Sequence, residues 1–232
     1  LVSEKREDLI LTAADVLEAV RENKPTAVVF SNPCSPTSLV MSREDVLHIV
    51  KNTDALVILD EAYMDFSDQS VIKVAEKYDN LILLKTCSKA LGLAAVRLGF
   101  AVSSERIVRA LHAVRSPYNV NSMTQAVGCV MFSHPGYIKK AIEEIKNARD
   151  DLYLGLLQFE GNGNVRRIVK PDTNFVFIEL KDAVYVYDEL KTRSVIVRRL
   201  GDFLRITAGT KKENDALIQA LSEILAVEVR RP

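Results

Sequence analysis

The chain has 232 residues, and its 31 Lys plus Arg balance 31 Asp plus Glu, so its formal net charge is zero. That balance argues against a nucleic-acid binder or a polybasic membrane-surface protein. A composition of 48% hydrophobic and 27% charged residues rules out long-range disorder.

No apolar run approaches the length of a membrane span. Cys34, Cys87 and Cys129 show no CxxC spacing, so neither a disulfide framework nor a zinc site is indicated. A reducing, cytoplasmic setting is the simple expectation. Leu1 is not a start methionine, and no charged-then-apolar leader follows it. The opening LVSEKREDLILTAADVLEAVRENKP reads as a short strand or loop and then a helix, as though a fold were entered midway. A longer parent protein is therefore expected.

From Thr26 to Ser103, strands alternate with helices. TAVVF (26–30), ALVIL (55–59), NLILL (80–84) and LGFAV (98–102) are short apolar runs of the kind that form fully buried parallel strands. Between the first two, Ser42 with Asp45 gives a capping-box-like start to a helix whose apolar face is Val46, Leu47, Ile49 and Val50. VIKVAEKYD (71–79) reads as a second short helix. Helices follow in SERIVRALHAVR, in SMTQAVGCVMF and from about Pro135 to Phe159, where the IEEIKNARDD run reads as a solvated face. After the turn signal GNGN (161–164), NFVFIEL (174–180) is a strand and DAVYVYDELKTR (182–193) a helix. SVIVRR (194–199) and FLRIT (203–207) are strands, and 211–226 is a closing helix. The fold class is α/β: a mostly parallel sheet with helices at 1–140, then a smaller α+β domain at 141–232.

Ligands of open parallel α/β sheets bind at the carboxyl ends of the strands. There the chain places Asn32 and Pro33, then Asp60, Glu61 and Tyr63, then Thr86, Ser88 and Lys89. An amide, a carboxylate beside a phenol, and hydroxyls with a lysine suit a ligand carrying a cationic ring, a phenolic oxygen and a phosphate. Taken singly, each has a plainer reading. Asn32-Pro33 is also a turn, Asp60 a helix cap, Tyr63 a packing residue, Lys89 a surface charge and Arg97 a salt-bridge partner. His48, His112 and His134 lie in or beside helices without a partner at metal-ligand spacing, so no metal site is expected.

Together, NPCSPTS (32–38), DEAY (60–63) and TCSKALGLAAVRLGF (86–100), with Arg97 eight residues after Lys89, resemble the class I/II aminotransferases of fold type I. RSPYNVNSMTQ (115–125) and FLRITAGTKKEND (203–215) bring the resemblance closest to the histidinol-phosphate aminotransferases.

That resemblance implies a pyridoxal 5′-phosphate enzyme, a homodimer with a small amino donor and a 2-oxo acid as partners. It would move an amino group between L-histidinol phosphate and 2-oxoglutarate in histidine biosynthesis. It implies Lys89 as the lysine that attaches to the cofactor and shuttles the proton, and Asp60 against the pyridine nitrogen. Asn32 and Tyr63 would bond the ring oxygen, and Thr86, Ser88 and Arg97 would hold the phosphate. Arg205 would be the substrate-carboxylate anchor, with Arg198 as a further substrate contact. The family segment resembles NPNNPTG; Cys34, Ser35 and Ser38 depart from it. The family's glycine-rich turn over the phosphate, its aromatic stacked on the cofactor and its tyrosine lent to the other subunit are not found. A threonine-phosphate decarboxylase-like or aromatic aminotransferase activity stays open on the same fold. So does an inactive fragment serving only as a folded or dimerising module.

Overall fold

The computed structural model describes residues 8–228. The strand or loop expected at the start of the chain begins on residues outside that range. The chain divides into two compact units. The first runs up to Ser35 and resumes over Leu39–Ile142, and the second joins Pro36–Ser38 to the chain from Glu143 onward.

In the first unit, helix α1 (Ala13–Asn23) starts on a full capping box. Thr12 accepts from the Asp15 N–H, and the Asp15 carboxylate accepts from the Thr12 N–H at 2.8 Å. Strand β1 (Ala27–Ser31), helix α2 (Arg43–Lys51), and strands β2 (Leu56–Asp60), β3 (Leu81–Thr86) and β4 (Gly99–Ser103) follow. The sheet order is β1-β2-β3-β4, with β1, β2 and β3 parallel. Val57, Leu59, Leu81 and Leu83 are fully buried in one cluster with Val46, Ile49 and Val50 of α2 and Val16 and Leu17 of α1. Each such side chain contributes about 1.5–3 kcal/mol through the area it removes from water.

Three expectations need correction here. β4 is antiparallel to β3. The connection over 87–98 holds only a 3-10 turn at Ala94–Val96, too little for a crossover, so the chain reverses. The strands are also not covered on both faces: Val29 of β1 and Phe100 of β4 are 67% and 46% exposed. An all-apolar run cannot reveal which of its two faces is covered. Finally, 71–79 forms a 3-10 helix (Ile72–Lys77). Val71, Ile72 and Val74 are poor helix formers. In addition, the Val71 N–H is taken by the Glu61 carboxylate and the Ile72 N–H by the Ser70 hydroxyl.

Helices α3 (Glu105–Val114) and α4 (Ser122–Phe132) complete this unit and leave Val114, Met123, Val130 and Phe132 exposed. The long helix α5 (Pro135–Leu157) gives its C-terminal half to the second unit, whose core receives Leu152 and Leu156.

The second unit is an antiparallel sheet of order β5-β6-β8-β7. Its elements are β5 (Val165–Val169), β6 (Phe175–Leu180), α6 (Ala183–Thr192), β7 (Arg198–Leu200), β8 (Phe203–Thr207) and α7 (Lys211–Glu228). β5 was not foreseen; its VRRIV sequence is more polar than the other strands. β7 is shorter and later than the expected strand at 194–199. The end of α6 uses those residues: Ser194 is left-handed, its N–H bonds the Lys191 carbonyl, and the Val195 N–H reaches back to Leu190. On α5, Arg149 is not part of a solvated face. It is buried, bonds Asp150 at 2.7 Å and donates to the Thr173 carbonyl at 3.1 Å. No helix among the described residues is long and apolar enough to cross a membrane.

Candidate active site

Parallel pairing sets the level of the polar rim in the first unit. Ser31 lies opposite Asp60, and Asp60 opposite Leu84, so the carboxyl ends of three strands meet at one edge. Asn32 and Glu61 follow the ends of β1 and β2, β3 closes on Lys85 and Thr86, and the strand pattern continues briefly through the Asn32 N–H to the Asp60 carbonyl at 2.9 Å.

Asn32 is buried, and its carboxamide closes the loop that follows β1. Nδ2 donates to the Met41 carbonyl at 2.9 Å, and Oδ1 accepts from the Met41 N–H at 2.8 Å. Cys34 and Leu39 add a main-chain bond within the same loop. One Nδ2 hydrogen is left over after Met41 for a ligand. Replacing Asn32 with alanine leaves both Met41 main-chain groups without their partner. The variant is expected to lose about 2–4 kcal/mol, on the scale of one to two unmade buried bonds. Urea unfolding measures this, and an unchanged midpoint would show that the loop closes by other means.

Asp60, half-buried at the end of β2, accepts from the Ala62 N–H at 3.0 Å through Oδ1. Its neighbour Glu61 points elsewhere. It is fully buried and accepts from the Ser70 hydroxyl at 2.6 Å and the Val71 N–H at 3.0 Å. Burial raises the Glu61 carboxyl above its ordinary value of 4.5, against the opposing pull of those two donors. A raised acid binds its proton more tightly folded than unfolded. Its stabilising contribution is therefore present below pH 4.5 and is lost as pH rises through the folded value. Glu61→Gln is expected to remove that part of the fall in stability with rising pH. Melting curves of the two proteins from pH 4 upward measure it, and parallel curves would sink the attribution.

Tyr63 is buried, and the Lys89 Nζ lies 5.3 Å from its ring centroid. The structure thus brings together two of the three residues predicted to do chemistry, and the register puts Asp60 on the same edge. Lys89 itself is exposed, on the turn after β3. Thr86 ends that strand and accepts from the Ser88 N–H at 3.1 Å. Lys85 instead pairs with Asp65 at 2.8 Å.

Arg97 returns to this turn through main-chain pairing: Thr86 lies opposite Gly99, and the Cys87 N–H bonds the Leu98 carbonyl. Arg97 is left-handed at φ 57° and donates from Nη1 to the Ala94 carbonyl at 2.9 Å. A non-glycine in that region is held there by its surroundings. α4 supplies them: the Thr124 hydroxyl donates to the Val96 carbonyl at 2.8 Å, and Gly128 lets the Leu98 side chain approach so closely that a Cβ would stand 2.7 Å from it. Sequence reasoning missed this supporting role of SMTQAVG. The mid-helix glycine was the one available signal.

The second unit carries the predicted substrate residues. Arg198 on β7 lies directly opposite Arg205 on β8. They line a concavity of about 620 Å³ with Tyr187, Ile196, Val197, Arg199 and Thr207. The Arg205 guanidinium rests 4.8 Å from the Phe175 ring centroid. Like charges directly opposite on paired strands repel, and among the described residues that line this concavity none is acidic. An anion is its natural complement. Arg199, Thr207 and Tyr187 were not predicted. Thr207 was legible, two residues from Arg205 on the same strand face. Among the described residues, no group of three or more His, Cys, Asp or Glu is placed to hold a metal ion.

The family model for class I and II aminotransferases matches residues 2–221. The chain belongs to that family. It is 37% identical over 230 residues to a histidinol-phosphate aminotransferase of Clostridium kluyveri, covering 97% of this chain and 64% of that protein. This aminotransferase-family chain thus spans just under two thirds of that relative's length. Among solved structures, a histidinol-phosphate aminotransferase from Clostridium acetobutylicum superposes with a TM-score of 0.85 at 21% identity, over 96% of this chain and 70% of that one. A histidinol-phosphate aminotransferase from Sinorhizobium meliloti, in complex with pyridoxal-5′-phosphate, gives 0.81 at 25% identity, over 93% and 62%. The donor set at the rim, a carboxylate, a phenol, two hydroxyls, a guanidinium and an accessible amine, fits pyridoxal phosphate.

Proposed function

We propose that this protein acts as a pyridoxal-phosphate-dependent aminotransferase that exchanges an amino group between L-histidinol phosphate and 2-oxoglutarate, in histidine biosynthesis. The observation that carries this reading is the Lys89 amine above the Tyr63 ring, on the strand edge that also bears Asp60 and Asn32. Pyridoxal phosphate, when bound, supplies an electron sink for negative charge at the substrate α-carbon.

The chain's own residues supply the rest. Lys89 would carry the proton between the substrate α-carbon and C4′ of the cofactor, which needs an amine that swings freely; its exposure on a turn suits that. Asp60 holds the pyridine nitrogen in its charged form. Tyr63 and the remaining Asn32 hydrogen bond the ring oxygen. Thr86, Ser88 and Arg97 grip the phosphate by hydroxyl and guanidinium donors. The facing Arg198 and Arg205 select a substrate with negative charge, one guanidinium orienting a carboxylate or phosphate. The working protein is a cytoplasmic homodimer on this reading; its three free cysteines are compatible with a reducing compartment.

The test is direct. The chain is mixed with pyridoxal phosphate, reduced with borohydride and mapped by mass spectrometry. Label on Lys89 alone supports the reading. Label scattered over surface lysines overturns the assignment of Lys89 in this chain.

A further inference from the structure

Ser38 stands where the backbone is left-handed, at φ 67°, a conformation for which glycine is the default. It is fully buried, as is Thr173, 135 residues later. The chain therefore accepts backbone strain and a buried hydroxyl at one position, and the hydrogen bonds show what is gained. Ser38 Oγ accepts from the Asp172 N–H at 3.0 Å and the Thr173 N–H at 3.1 Å, and lies 2.6 Å from Thr173 Oγ1. The Ser38 carbonyl accepts from the Asp172 N–H at 3.1 Å. Thr173 Oγ1 in turn donates to the Phe175 carbonyl at 3.2 Å and accepts from the Phe175 N–H at 3.3 Å. The buried Arg149 closes the knot through the Thr173 carbonyl.

These bonds gather on Asp172, Thr173 and Phe175 at the entry to β6, and β6 opens with Phe175, the ring on which the Arg205 guanidinium rests. Phe175 is also paired to β8 opposite Thr207, on the strand that carries Arg205. A glycine at residue 38 would satisfy the backbone but leave the Asp172 and Thr173 amides without the Oγ acceptor.

We propose that Ser38 is a positioning residue for the anion pocket: through the Ser38–Thr173 hydroxyl pair it fixes Phe175, and through Phe175 it sets the place of the Arg205 guanidinium. The inference rests on the reading of the Arg198/Arg205 concavity as an anion site only for its functional consequence; the positioning itself is measurable without any ligand.

The experiment follows the Arg205 Nε–Hε resonance, assigned through Arg205→Lys, in the full chain and in three variants. Ser38→Gly removes the hydroxyl and relieves the backbone. Thr173→Val removes the partner hydroxyl without touching residue 38. Thr173→Ser keeps it. The resonance is expected to move in the first two, as the guanidinium shifts in the ring current of Phe175, and to stay in the third. Inorganic phosphate is then titrated into each protein. Binding about tenfold weaker in Ser38→Gly and Thr173→Val, the equivalent of one buried hydrogen bond, with Thr173→Ser like the parent, is the expected result. An Arg205 resonance unmoved in both Ser38→Gly and Thr173→Val overturns the proposal, whatever phosphate does. A moved resonance in a chain that binds no phosphate keeps the positioning role and removes the anion reading.

Discussion

Lys89→Ala is expected to abolish borohydride-trapped labelling of the chain by pyridoxal phosphate and to leave its fold intact. The amine is exposed, and its one described contact is the Tyr63 ring 5.3 Å away. Losing that contact costs about 0.5–1 kcal/mol, the worth of an accessible cation–π pair. The main-chain bond from the Gly92 N–H to the Lys89 carbonyl survives the substitution, so the turn keeps its shape. In the working enzyme the variant removes the group that moves the proton. Turnover should fall by at least roughly 10²–10⁴-fold, the span of a positioned acid–base group. Melting temperature and mass spectrometry separate the two effects. Turnover retained in Lys89→Ala would sink the assignment.

Arg205→Leu is expected to split stability from substrate binding. The leucine keeps an apolar contact with Phe175, and it removes one of two cations held opposite each other on β7 and β8. Repulsion is relieved by a few tenths of a kcal/mol, the usual size of a cross-strand charge pair, against about 0.5–1 kcal/mol for the lost contact with the Phe175 ring, so the melting temperature should change little. The anchor for the anion is lost. KM for an anionic substrate should rise about 10–100-fold, the effect of one to two charge-assisted hydrogen bonds, with a smaller change in kcat. A KM equal to that of the parent would place the anchor elsewhere.

The α/β class, the parallel β1–β3 core and the rim residues were legible because each signal is local. A short β-branched run makes a strand, and the residue after it lands at the carboxyl edge. What escaped depends on pairing between distant residues. The direction of β4 is decided by the absence of a helix in 87–98 rather than by the apolar run that forms the strand. The late start of β7 comes from the way α6 ends at Arg193–Val195, a hydrogen-bond pattern made with serine where glycine would have signalled it. Arg149 looks like one more charge in a charged run; buried, it donates to the Thr173 carbonyl 24 residues later, beyond β5. The pairing of Arg198 with Arg205 needed the register of two strands, which their sequences do not carry.

The second unit is not one continuous length of chain. Three of its residues, Pro36–Ser38, are made more than a hundred positions before the rest. During synthesis that piece leaves the ribosome first and is already waiting when Thr173 emerges. A gene cut to express the second unit alone, starting at Glu143, would omit it and leave the Asp172 and Thr173 amides without their acceptor. Dissection of this chain into separately folding parts therefore calls for a graft of the short segment onto the later one, or for a circular permutation that keeps the two together.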